Sequence, residues 1–212
     1  MTAGGRWLYR DNMERPTLWI VAGPNGVGKT TYAFRHIRAV SGVARFVNLD
    51  EIARGLSPLD PGAEPQRAAR VALDMTRELI AQRRTFTIET TLAGRTHLRT
   101  IAAARAAGHE AKLLYFAVAN VDVCLARVAR RVAEGGHAVP ESDVRRRFAR
   151  SMENLFVYVD GVDFWRVYDN ALATPRTVAE GRRGCRAFLG ATEGLPESLA
   201  ARLGALPPCA EG

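Results

Sequence analysis

The chain has 212 residues, enough for one domain with a sizeable core and too few for two of ordinary size. Hydrophobic residues make up 47% and charged residues 25%, which excludes a disordered chain, a collagen-like fibre and a disulfide-stapled miniprotein. The net charge of +8 invites a nucleic-acid partner, yet of the 30 basic residues only Lys29 and Lys112 are lysine, and arginine's planar fork also suits small phosphates.

The elements alternate along the chain. Residues 1–16 are polar and mixed in charge and read as a flexible N-terminus. Leu18 to Ala22 is a short apolar run ending in Gly-Pro-Asn-Gly, the pattern of a buried strand entering a loop. A helix is expected from Lys29 to Val40, a strand over 45–49, and a helix over 64–83 through Ala68, Val71, Ala72, Met75, Leu79 and Ile80. Thr85 to Ile88 is β-branched and aromatic, a third strand. A helix over 94–107 stops at Gly108, and Ala111 to Val118 is the fourth strand. Asn120 or Asp122 caps a helix that runs to Glu134, and Pro140 to Asp143 opens another, to about Val157. Phe164 to Tyr168 is the fifth strand. Beyond Pro175 the pattern weakens to one short helix over 198–206, and 207–212 read as a flexible tail. Alternating strands and helices predict an α/β fold with a mainly parallel, five-stranded sheet in a single domain over 17–206. Ligands of such sheets bind beyond the carboxyl ends of the strands.

Cys124, Cys185 and Cys209 are scattered and lack metal-ligand spacing, which suits a reducing cytosol better than a zinc site or a disulfide framework. No apolar run approaches the length of a membrane span. A cytoplasmic protein with no membrane partner is expected.

Gly23-Pro24-Asn25-Gly26-Val27-Gly28-Lys29-Thr30 matches GxxxxGK[ST] between a predicted strand and a predicted helix. Glycines let successive N–H groups curl around a phosphate, and the helix N-terminus adds partial positive charge. With Thr31 completing the loop, this is the expected ATP site. Lys29 reaches the β- and γ-phosphates, and the Thr30 hydroxyl ligates Mg²⁺. A guanine-reading NKxD is missing, since Asn120-Val121-Asp122-Val123 lacks the lysine. The remaining class is a kinase of small molecules.

Asp50 closes the second strand beside this loop and is a candidate base for an acceptor hydroxyl, a role compatible with helix capping. Glu89, at the end of the third strand in Ile88-Glu89-Thr90-Thr91, stands where P-loop folds place an acidic residue that positions Mg²⁺; it could equally meet the acceptor, or cap a helix. Arg127, Arg130, Arg131, Arg145, Arg146, Arg147 and Arg150 flank Gly135-Gly136-His137 and Pro140, the makeup of an arginine-rich helical lid over about 127–150. A charge run of this kind is also what a solvated basic face looks like. His137 either touches substrate or closes the turn.

From Leu18 to Asn170 the sequence resembles the zeta toxin family of P-loop kinases, its short chromosomal members in particular. The resemblance rests on Phe46-Val47-Asn48-Leu49-Asp50-Glu51-Ile52-Ala53, on Ile88-Glu89-Thr90-Thr91, on Arg131-Val132 with Gly135-Gly136-His137, and on Arg145-Arg146-Arg147-Phe148-Ala149-Arg150-Ser151 with Asn154. It implies a P-loop kinase fold using ATP and Mg²⁺, with UDP-N-acetylglucosamine as an acceptor and an antitoxin protein as a candidate partner. It also implies Asp50 as catalytic aspartate, Lys29 and Thr30 as nucleotide ligands, Arg131 and Arg147 as phosphate clamps, and Glu89 and Thr90 near the acceptor. Two rivals stand beside it: a nucleoside, nucleotide or polynucleotide kinase on the same fold, and a nucleic-acid-binding P-loop ATPase. Against the second, no aromatic residues interleave with the basic run.

Overall fold

The computed structural model describes residues 15–33, 45–60, 62–136, 138–172 and 174–210. Strand β1 (Thr17–Ala22) is buried along its whole length and lies between β3 (Phe86–Thr90) and β4 (Glu110–Ala117), parallel to both. Beyond them β2 (Phe46–Asn48) and β5 (Phe164–Asp169) extend the parallel sheet, giving the five strands expected from the apolar runs. Two antiparallel strands that the sequence reading does not contain, β6 (Arg176–Arg182) and β7 (Cys185–Leu189), complete the order β2-β3-β1-β4-β5-β6-β7.

The side-chain alternation of β1 divides the interior in two. Leu18 and Ile20 join Phe86, Leu113, Tyr115 and Trp165 on one face of the sheet. Trp19 and Val21 join Leu114, Phe116, Phe164 and Tyr168 on the other. Helices α2 (Leu49–Leu56), α3 (Pro65–Ala81), α4 (Thr96–Ala106) and α7 (Glu197–Ala205) contribute to the first core through Ile52, Ala72, Ile101 and Leu199. The second core takes Ala33, just beyond the first turns of α1 (Lys29–Tyr32), and Cys124 and Val128 of α5 (Val121–Ala133). The long helix α6 (Glu141–Val159) serves both: Val144 and Phe148 enter the second core, Leu155, Tyr158 and Val159 the first. The expected lid is therefore two packed helices joined by a turn at Gly135.

Local chemistry explains the boundaries. Asn120 caps α5 by accepting from the N–H groups of Asp122 and Val123. Helix α2 begins at Leu49, two residues earlier than a strand-ending or capping Asp50 requires. Asn48 is its cap, accepting from Asp50 N at 2.8 Å and Glu51 N at 3.2 Å, so Asp50 sits in the first helical turn. An anionic residue is favoured there by the helix dipole.

The C-terminal segment departs from the sequence reading. Pro207 to Cys209, read as a tail, are tied to β7: Arg186 N donates to Pro207 O at 2.7 Å, and Cys209 N to Arg186 O at 3.0 Å. Cys185 and Cys209 form a disulfide with their Cα atoms 4.9 Å apart. Cys124 is free and buried, and burial pushes its thiol up to about 11. The scattered cysteines thus include a bonded pair, because β7 and the last turn converge after α7.

Candidate active site

Beyond the carboxyl ends of β1, β2 and β3 lies a cavity of about 780 Å³. Its floor is the loop after β1. Gly28 has φ 99°, a left-handed conformation, and an added Cβ would collide with Asn170 Nδ2. Gly23 has φ 138° and a Cβ there would collide with Phe116 O. Both positions demand glycine. The loop is braced from outside. Asn170 Nδ2 donates to Val27 O at 2.6 Å, and the Arg127 guanidinium donates to Val27 O, Asn170 O and Ala171 O at 3.3, 2.9 and 3.1 Å.

Lys29 opens α1, is buried, and donates to Pro24 O at 2.9 Å. Burial lowers its pKa, against which the carboxylates of Glu89 and Asp50 favour the charged form. Thr30 Oγ1 lies 2.9 and 3.0 Å from the two oxygens of Glu89. Glu89 pairs across the sheet with Val21 of β1 and Asn48 of β2, and Asn48 Nδ2 donates to its Oε2 at 2.9 Å. Burial raises the pKa of Glu89, partly offset by Lys29 and by the Thr30 hydrogen bond. Asp50 is exposed and lines the same cavity, near enough to act on both charges. Asn48, Asp50 and Glu89, distant in sequence from the loop, thus meet around Lys29 and Thr30.

The arginines separate into roles. Arg131 lines the cavity, and its charge acts on Lys29. Arg147 lines it as well, donating to Asn25 Oδ1 at 3.4 Å and pairing with Asp143 at 3.1 Å. Arg146 pairs with Asp143 at 2.7 Å, and together these arginines hold the Asp143 carboxyl below its ordinary value. Arg127 is a brace of the loop and not a clamp over it. Arg145 pairs outward with Glu141 and Asp122. Thr90 lines the cavity and its hydroxyl accepts from Leu92 N at 3.1 Å. His137 lies outside the described residues.

Four contributors were given no such role by the sequence reading: Asn48, Asn170, Arg127 as a brace, and the pair Asn154 and Tyr158. Asn154 Nδ2 donates to Leu92 O at 2.9 Å and Tyr158 Oη to Gly94 O at 3.0 Å, so α6 fixes the loop between β3 and α4. Of these, Asn48 had a readable signal, since Asn-Leu-Asp-Glu is a capping-box spacing.

The sheet order, the glycine-rich loop between β1 and α1, and the acidic residues at the neighbouring strand ends define a P-loop kinase-like α/β fold. The chain belongs to the family AAA_33, described as an AAA domain, whose model matches residues 18–155. An uncharacterized protein of Haemophilus influenzae (strain ATCC 51907 / DSM 11121 / KW20 / Rd) is 31% identical over 143 residues, 64% of this chain and all of that protein. In fold the chain is similar to a chain in the crystal structure of AvrRxo1-ORF1:-ORF2 with ATP (TM-score 0.66, 18% identity, 93% of this chain and 66% of that chain). It thus spans slightly less than two thirds of that structural neighbour. It is also similar to a structure of the PezAT chromosomal toxin-antitoxin system of Streptococcus pneumoniae (TM-score 0.58, 15% identity, 80% of this chain and 76% of that chain). No helix among the described residues is long and apolar enough to cross a membrane.

Proposed function

We propose that the protein is an ATP- and Mg²⁺-dependent kinase that transfers the γ-phosphoryl group to a hydroxyl of a small molecule. The observation that carries this reading is the convergence of Lys29, Thr30, Glu89 and Asp50 on one cavity floored by a phosphate loop. The backbone of residues 23–31 cradles the α- and β-phosphates, and Lys29 reaches the β- and γ-phosphates. The Thr30 hydroxyl and Glu89 carboxylate offer the hard oxygen ligands that suit Mg²⁺, with phosphate oxygens and water completing its shell. A cation held by these two side chains would neutralise charge on the transferring group. Asp50 accepts the acceptor's proton, and Arg131 and Arg147 stabilise the equatorial oxygens. Thr90 and the outer edge of Glu89 border the acceptor.

The ATP-bound AvrRxo1 neighbour supports the nucleotide assignment, and the PezAT toxin-antitoxin neighbour supports an antitoxin-like partner. UDP-N-acetylglucosamine, the acceptor that the zeta-toxin resemblance implies, is the reference compound. The test is transfer of label from γ-labelled ATP to a panel of sugars, sugar nucleotides and nucleosides. Mg²⁺-dependent labelling of an acceptor is expected. Lack of ATP binding by the purified protein would contradict the reading.

A further inference from the structure

The turn that ends α5 contains two adjacent glycines, and each has a different reason to be glycine. Gly135 N donates to Val132 O at 3.0 Å and Gly136 N to Arg131 O at 2.8 Å, the paired bonds of a Schellman cap. Gly135 takes the left-handed position of that cap, with φ 85°, and a Cβ there would meet nothing within 4 Å. Gly136 is the reverse case. Its φ is not positive, so the left-handed region is not what calls for glycine there. What a side chain at 136 would meet is Arg131. An added Cβ would lie 2.6 Å from Arg131 Cγ, 3.3 Å from its Cδ and 2.8 Å from its carbonyl oxygen.

In a cap of this type an apolar side chain at the second position beyond the helix often packs on the residue five earlier. Here that side chain is absent, and the methylene stem of Arg131 lies against bare backbone in its place. Arg131 Cγ is placed by χ1, so anything that pushes Cγ aside swings the whole side chain to another rotamer. Arg131 is exposed as a residue, yet it lines the cavity and its charge acts on Lys29. Holding a long exposed side chain in one such place costs rotamer entropy.

We propose that Gly136 is a positioning residue for phosphoryl transfer: its missing Cβ is the seat of the Arg131 stem, and the seat keeps the guanidinium beside Lys29 before ATP arrives. This rests on the kinase reading and adds a residue to it. Gly136 touches neither nucleotide nor acceptor and acts through Arg131 alone.

The experiment compares Gly136→Ala, Gly135→Ala, Arg131→Ala and the double variant Arg131→Ala/Gly136→Ala with the wild type. Tm, affinity for ATP and for ADP, and kcat for transfer from γ-labelled ATP are measured on each. Arg131→Ala is expected to lower kcat by about 10²-fold and to remove most of the preference for ATP over ADP. Gly136→Ala is expected to lower kcat at least about tenfold and to weaken that preference in the same direction. Added to Arg131→Ala it should change neither reading, since the group through which it acts is gone. Gly135→Ala strains the same turn without touching Arg131. It is expected to lower Tm as much as Gly136→Ala or more, with kcat and the ATP-over-ADP preference as in the wild type. One measurement needs no variant: NMR relaxation of the nucleotide-free wild type should show the Arg131 Nε–H more ordered than that of Arg130, whose side chain is 74% exposed. Equal mobility of the two arginines, a wild-type kcat in Gly136→Ala, or the same further loss when Gly136→Ala is added to Arg131→Ala would each overturn the seat. If the wild type binds ATP but labels no acceptor, the kinase reading falls, and the ATP-over-ADP preference and the NMR comparison still decide the seat.

Discussion

The Thr30 hydroxyl and the Glu89 carboxylate, 59 residues apart, are hydrogen-bonded at 2.9 and 3.0 Å at the mouth of the phosphate loop. Both are the oxygen ligands that a small hard cation would take, held together by each other before it arrives. Thr30→Ala and Glu89→Gln are therefore expected to raise the Mg²⁺ concentration needed for half-maximal transfer, and to lower kcat by about 10²-fold, the scale of losing one electrostatic stabiliser. ATP affinity without Mg²⁺ should change little. A Mg²⁺ titration of transfer checks both.

Glu89 also gives a pH signature. Burial raises its pKa, so ionised Glu89 destabilises the nucleotide-free fold at every pH above that raised value. The cost vanishes as pH falls below the ordinary carboxylate range, where the side chain is protonated folded or unfolded. Glu89→Gln is expected to raise Tm at pH 8 and to lose that advantage by about pH 4. Thermal melts across this range, without Mg²⁺ or nucleotide, measure it.

Arg127 braces the phosphate loop through three carbonyl oxygens. Arg127→Ala is expected to cost about 1–3 kcal/mol of stability and to weaken ATP binding. Arg127→Lys should recover little of it, since an ammonium cannot span the three acceptors as the fork does. Arg147→Ala, by contrast, is expected to lower kcat with a smaller change in Tm. Denaturation midpoints and kinetics on the two variants separate brace from clamp.

The Cys185–Cys209 bond closes a sequence separation of 24 residues between β7 and the C-terminal segment. In the chain-entropy account such a loop contributes about 3 kcal/mol. Cys185→Ser, or reduction, is expected to lower Tm by several degrees while leaving the phosphate loop, on the far side of β5, competent to bind ATP. Melts with and without reductant, paired with nucleotide titration, test this.

Much of this arrangement is legible in the sequence because it is local. The loop from Gly23 to Thr30 declares itself through glycine spacing between a buried run and a helix, and Glu89 through its place at a strand end. What is not legible arises from distance in the chain. Arg127 reads as a lid cation, and only the fold reveals that its acceptors lie at Val27, Asn170 and Ala171. Asn48, which the sequence reading did not single out as a cap, both caps α2 and orients through its amide a carboxylate 41 residues away. Strand β6 escapes because Arg-Thr-Val-Ala-Glu-Gly-Arg has little apolar content, and its Glu180 is buried only because Arg166 pairs with it. The basic charge looks different once placed. Arg54, Arg67 and Arg77 pair with acids three residues earlier on exposed helix faces, whereas Arg131 and Arg147 stand over the cavity. Both lysines are buried, Lys29 in the loop and Lys112 on β4 beside Trp19 and Glu110.

The most direct test of the central claim is single-turnover transfer by Asp50→Asn, measured with γ-labelled ATP and Mg²⁺ beside the wild type and with ATP affinity determined on both. Asp50 is exposed at the start of α2, so the substitution leaves the core intact. The account predicts unchanged ATP affinity with transfer slowed by about 10²–10⁴-fold, the usual contribution of a positioned base. Transfer by Asp50→Asn at the wild-type rate would contradict it.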